Sequence, residues 1–190
     1  MLDLSKKVLP RAIVVRGKYY QIHTDFRYFL IVKRLLKNKI RDITAFKFMY
    51  VDKVPLYEWA GLKAIIDFMN SGSPLPRGID EDNREIVIDY DIDAELIYSA
   101  FLEKYNIDLL KTDLHWWQFK ALLCGLHDTK LNDVISFRLY KPSGKNDEYE
   151  KYKQQQYDAW RIITAEEEQK LKESERKDKE ALESFLANLR

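Results

Sequence analysis

One cysteine, six glycines, five prolines and three histidines occur in 190 residues. A single thiol, Cys124, excludes an intramolecular disulfide framework and a multi-cysteine zinc site, and it fits a reducing compartment. So little glycine and proline excludes a collagen or a proline-rich linker protein. His23, His115 and His127 lack metal-ligand spacing. No glycine-rich phosphate loop, nucleophile elbow or Walker sequence is present. No apolar run approaches the roughly 20 residues that cross a bilayer, and the N-terminus has neither an apolar signal core nor a cleavage site. Net charge is scarce too: 32 basic against 31 acidic side chains leave +1, so the whole chain is not a polycation built for nucleic acid. These absences predict a soluble, intracellular, non-enzymatic protein with no cofactor, no metal, no nucleic-acid partner and no membrane partner.

What is present is 46% apolar residues, with aromatics making up 13% of the chain, and 33% charged residues, enough for a real core. The charge is blocked. Residues 1–60 carry 13 basic and five acidic side chains, and residues 61–110 carry four and 11. The two blocks either face each other within one fold or meet between subunits, head to tail, which makes rings or open helices.

Residues 11–23 read as a β-hairpin. Ala12–Val15 and Tyr19–Ile22 are β-branched and aromatic, with Arg16-Gly17-Lys18 as the turn. A helix follows, with Thr24 as its N-cap and Asp25 in its first turn. Arg27 in that turn opposes the helix dipole, and the acidic 80–95 segment is its expected partner. A short helix over 42–50 follows Asp42. Pro55 opens the next one, with a core stripe of Trp59, Leu62, Ile66 and Met69. Residues 70–85 read as a polar loop. A helix at 94–105 is capped by Asp91 or Asp93. Another spans 114–124, apolar nearly all round, with Thr112 or Asp113 as cap, Cys124 as a small core residue and Gly125 just past its end. A last short helix covers 130–139.

No proline follows Pro142 and no glycine follows Gly144, while Glu, Lys, Gln and Ala abound. The fold class is therefore mainly α: a small helical domain over 1–142 with its hairpin, then a charged helical arm over 143–190. That arm would extend on the order of 65–70 Å if fully helical. Its apolar positions hold no heptad repeat, but Leu182, Phe185, Leu186 and Leu189 make an amphipathic end.

Two constellations invite chemistry. The aspartates of 80–93 alternate as hard-cation ligands can, and a metal-dependent enzyme using them is one alternative function. An EF-hand starting at Asp89 would need glycine at 94 and glutamate at 100, and both are alanine. Helix capping and pairing with the basic block are the structural explanation. Trp116 and Trp117 cannot share one narrow helical face, and a buried indole needs a partner for its N–H. The pair serves either a core or a partner-binding surface, and Trp116, Trp117, Leu182, Phe185, Leu186 and Leu189 are the candidate partner-binding residues.

Several segments carry a resemblance: Ile22-His23-Thr24-Asp25-Phe26-Arg27, then Asp89 to Phe101, then Tyr105-Asn106-Ile107-Asp108-Leu109, then Leu114-His115-Trp116-Trp117-Gln118-Phe119 and on to Leu126. In order and spacing along 11–140 the chain resembles the gene-product-fifteen family of tailed phages and prophages of Gram-positive bacteria. The resemblance implies a tail assembly chaperone. Such a protein coats the long helical segments of the tape measure protein in the host cytoplasm, helps recruit tail tube protein, self-associates along its client, and is absent from the mature virion. A structural tail or head–tail joining protein retained in the virion is the other morphogenetic alternative. The resemblance supplies no catalytic motif.

Overall fold

The computed structural model describes residues 5–40, 42–71, 87–141 and 147–163, and 167–180 apart from 171, 175 and 178. The fold is mainly helical behind an N-terminal hairpin, as its patterning predicts. Strands β1 (Ala12–Val15) and β2 (Lys18–Gln21) pair antiparallel, Val15 opposite Lys18. Both turn residues, Arg16 and Gly17, take positive φ, at 48° and 77°. Two such residues match the twist of the strands they join. Ile13 and Val15 are buried while Val14 and Tyr19 on the opposite face are exposed.

Helix α1 (Phe26–Lys37) starts one residue later than expected. Asp25, not Thr24, is the N-cap, its carboxylate accepting the Arg27 N–H at 3.0 Å. A 3-10 helix, Ile43–Met49, follows behind the cap Asp42. Helix α2 (Glu58–Asn70) buries Gly61, Leu62, Ile65, Phe68 and Met69. The predicted stripe through Trp59 and Ile66 is thus rotated, and Trp59 lies 67% exposed. The cause is local. A Cβ on Gly61 would sit 2.5 Å from the Tyr50 hydroxyl and 2.8 Å from the Pro55 ring. The helix therefore presents its glycine to that wall, and the neighbouring positions follow in phase.

Helix α3 (Ala94–Tyr105) has the predicted bounds, and Asn106 ends it in the left-handed conformation. Asp93 occupies its N-cap without a side-chain cap bond. Helix α4 (Trp116–Gly125) includes the glycine expected beyond its end, and Leu126 is its C-cap. Only its first turn is deeply buried. Cys124 is exposed rather than a core residue, because α4 emerges from the core after Phe119. Helix α5 (Lys130–Arg138) is followed by α6 (Glu148–Trp160), capped by Asp147. Helix α6 stops before Arg161, so the 143–190 arm is not one continuous helix.

The described residues form two compact units, one within 1–83 and 90–132, the other within 84–89 and 133–190. The parting of these units along the chain lies inside α5. In the first unit the core is a chain of stacked rings. Phe119 lies between Phe26 (4.6 Å) and Phe101 (5.2 Å), and Phe29 lies between Trp116 (5.2 Å) and Phe68 (5.7 Å). Such stacks add to the area they bury. In the second unit the buried Arg138 donates to the carbonyls of Trp160 (2.7 Å) and Val87 (2.9 Å), tying three segments together.

Candidate functional site

The two quoted segments at 22–27 and 114–119 meet in space. Phe26 N–H donates to the Leu114 carbonyl at 2.9 Å and Trp116 N–H to the Thr24 carbonyl at 2.8 Å, a one-residue bridge pairing Asp25 with His115. Each segment then caps the helix that it opens. His115 Nδ1 accepts the Trp117 N–H at 3.1 Å, and Gln118 Oε1 accepts the His115 N–H at 3.2 Å. His115 Nε2 lies 3.0 Å from the Pro10 carbonyl, which can only accept. The ring is therefore a neutral imidazole with its proton on Nε2. Burial lowers its pKa, and the Arg11 charge lowers it further against the raising effect of the Pro10 bond.

Arg27 holds this junction closed. Its guanidinium donates to Asp25 (2.9 Å), Asp113 (3.2 Å), the Leu109 carbonyl (2.8 Å) and the Thr112 carbonyl (3.1 Å). The partners are its own N-cap and the α3–α4 connection, not the 80–95 segment. That segment pairs instead with Arg34, through Asp91. A polar cleft of about 460 Å³ opens beside the junction, lined by Arg11, Asp25, Arg27, Tyr28, Asp113 and His115 among others. Its charged groups are largely engaged with one another.

Trp116 and Trp117 are 0% and 8% exposed. Their indole N–H groups donate to the carbonyls of Met69 (2.8 Å) and Phe68 (3.0 Å). Lys120 Nζ adds bonds to Met69 (2.8 Å) and Ser71 (3.1 Å). These are carbonyls at the C-terminal end of α2, which its own helix leaves without partners. Both tryptophans and the lysine therefore cap α2, and the tryptophan rings are occupied by this chain's own core. Leu182, Phe185, Leu186 and Leu189 lie outside the described residues.

The surface with apolar side chains to offer is elsewhere. Val51 N–H donates to the Gln21 carbonyl at 3.1 Å, and the Arg16 guanidinium lies 3.5 Å over the Tyr57 ring. The segment 51–59 thus runs along the hairpin from the end of β2 to the turn. Along this path Val14, Tyr19, Val51, Leu56, Tyr57 and Trp59 are exposed, Tyr19 by 80% and Leu56 by 93%. Leu56, Tyr57 and Trp59 are near neighbours in sequence, and clustered exposed apolar side chains mark an interaction site more often than scattered ones do. The sequence held one sign of it, the crowd Pro55-Leu56-Tyr57-Glu58-Trp59, which the helical stripe absorbed into the core.

Among the described residues no group of three or more His, Cys, Asp or Glu could hold a metal ion, and no helix is long and apolar enough to cross a membrane. Of the 80–93 aspartates, Asp89 and Asp93 are buried, and 80–86 lie outside the described residues. The family model described as Bacteriophage Gp15 protein matches residues 5–162. No curated protein and no solved structure matches the chain.

Proposed function

The chain belongs to the Bacteriophage Gp15 protein family, and on that premise we propose that it is a tail assembly chaperone that binds the tape measure protein. It acts in the host cytoplasm, helps recruit tail tube protein, and leaves before the virion is complete. The observation that carries the reading is the exposed surface of Leu56, Tyr57 and Trp59 beside the hairpin. An amphipathic helix lays its apolar face on such a surface. A shallow patch holds weakly enough for the client to be surrendered to polymerising tube protein. Several copies along one client gain avidity from the shared chain, without tight single contacts.

Co-expression with the tape measure protein of the same phage tests this. The expected result is a soluble complex with many copies of this chain per tape measure. The double variant Leu56→Ser/Trp59→Ser should stay folded and lose the complex, because both side chains are exposed. A tape measure protein that stays insoluble beside the wild-type chain would sink the reading. Recovery of the chain from purified virions by mass spectrometry would instead favour a retained structural protein.

A further inference from the structure

We propose that the surface along the hairpin selects amphipathic helices whose apolar stripe is edged by acidic side chains. This rests on the client reading above and adds the client's charge. The hairpin strands and turn, with residues 47–59, carry Arg16, Lys18, Lys47 and Lys53 against Asp52 and Glu58. Glu58 is taken by Lys47 at 3.1 Å. Arg16, Lys18 and Lys53 make no ion pair among the described residues, which leaves three cations against Asp52 on the hairpin turn, the start of β2 and the 51–59 segment. The Arg16 guanidinium carbon sits 3.5 Å from the Tyr57 ring centre, at stacking distance. Stacking uses the face of a guanidinium and leaves its in-plane donors for carboxylates. A helix with Leu at i, i+3, i+4 and i+7 and Glu on both borders would bury its stripe on Leu56, Tyr57 and Trp59. Its glutamates would then lie against Arg16, Lys18 and Lys53. A helix bordered by lysine would set like charges together, which discriminates by repulsion as well as attraction.

Trp59 supplies the readout. It is the exposed tryptophan of the first unit, while Trp116 and Trp117 are buried, so the emission change that Trp59→Phe abolishes belongs to it. The probes are two synthetic helices of about 18 residues, identical except that one carries Glu and the other Lys beside its leucine stripe. The Glu helix is expected to shift Trp59 emission to the blue and to bind at least about tenfold more tightly than the Lys helix at low salt, with most of that preference gone near 1 M salt. In Lys18→Glu/Lys53→Glu the preference should reverse. Equal affinity for the two helices would overturn the charge selection. No change at Trp59 with either helix would overturn the docking site. A blue shift that grows with protein concentration alone would overturn the choice of occupant in favour of a second copy. A soluble tape measure complex obtained alongside equal helix affinities would leave the chaperone reading standing and remove only this inference.

Discussion

His115 shows how one side chain can set a pH limit on this fold. Its Nδ1 must stay unprotonated to accept the Trp117 N–H and cap α4. Burial holds its pKa below the ordinary 6.5. A lowered pKa means that, between the folded value and 6.5, the unfolded chain binds more protons than the folded one. Stability is therefore fully present above about pH 6.5 and is lost as the pH falls through the folded value. His115→Asn keeps a capping oxygen and removes the titration. Urea midpoints measured from about pH 5 to pH 7.5 should fall for wild type at the acid end, with a flatter profile for the variant. Parallel profiles would show that His115 does not titrate within the fold's stability range. A second residue-scale test concerns Trp116. Trp116→Phe keeps most of the ring stack but leaves the Met69 carbonyl with Lys120 as its side-chain donor. The expected loss is about 1–3 kcal/mol in urea unfolding. A cost near zero would mean that Lys120 alone satisfies the end of α2.

At the scale of elements, α2 is placed by close approach rather than by periodicity. Gly61→Ala would force a methyl group into the Tyr50 hydroxyl and the buried Pro55 ring. A loss of about 1–3 kcal/mol is expected, the usual range for overpacking, together with a changed environment at Trp59, two residues earlier. A neutral G61A would show that the 50–55 wall yields. The same contact explains why α2 was only half legible. Its sequence is apolar nearly all round, so stripes through 59-62-66-69 and through 61-62-65-68-69 both satisfy a helical period. The choice between them came from a tertiary contact that no local pattern carries. By contrast, α3 runs from Ala94 to Tyr105 as read, since aspartates bound it on one side and Asn106 on the other. The hairpin was legible from its β-branched runs and its glycine. The partner of Arg27 was not, because charge blocks give a sum and not a geometry. That difference matters for the candidate site. Adjacency left the tryptophans open between core and surface, and both indoles reach the carbonyls of α2. The exposed Trp59 looked like core because it fell on a plausible stripe.

At the scale of the whole molecule, the charge blocks and the two units bear on different things. Within the first unit the basic N-terminal block meets the following acidic segment through Arg34 and Asp91, and Arg27 reaches Asp113 further along. Arg16, Lys18 and Lys53 make no ion pair among the described residues. The second unit depends on a different device. Arg138 is 5% exposed and donates to carbonyls of Trp160 and Val87, so one buried cation joins the ends of α5 and α6 to the strip before α3. A guanidinium in that position satisfies two part-buried backbone acceptors at once. Arg138→Leu keeps comparable apolar bulk and removes both bonds, at a cost of about 1–3 kcal/mol in all. If the two units are separate cooperative blocks, the loss stays local. Amide exchange over 148–160 and at Val87 should then accelerate by one to several orders of magnitude, while the hairpin, α1 and the first turn of α4 keep their protection. Equal acceleration across both regions would show instead that the chain unfolds as one block, and that damage in the second unit lowers the stability of the whole, hairpin included.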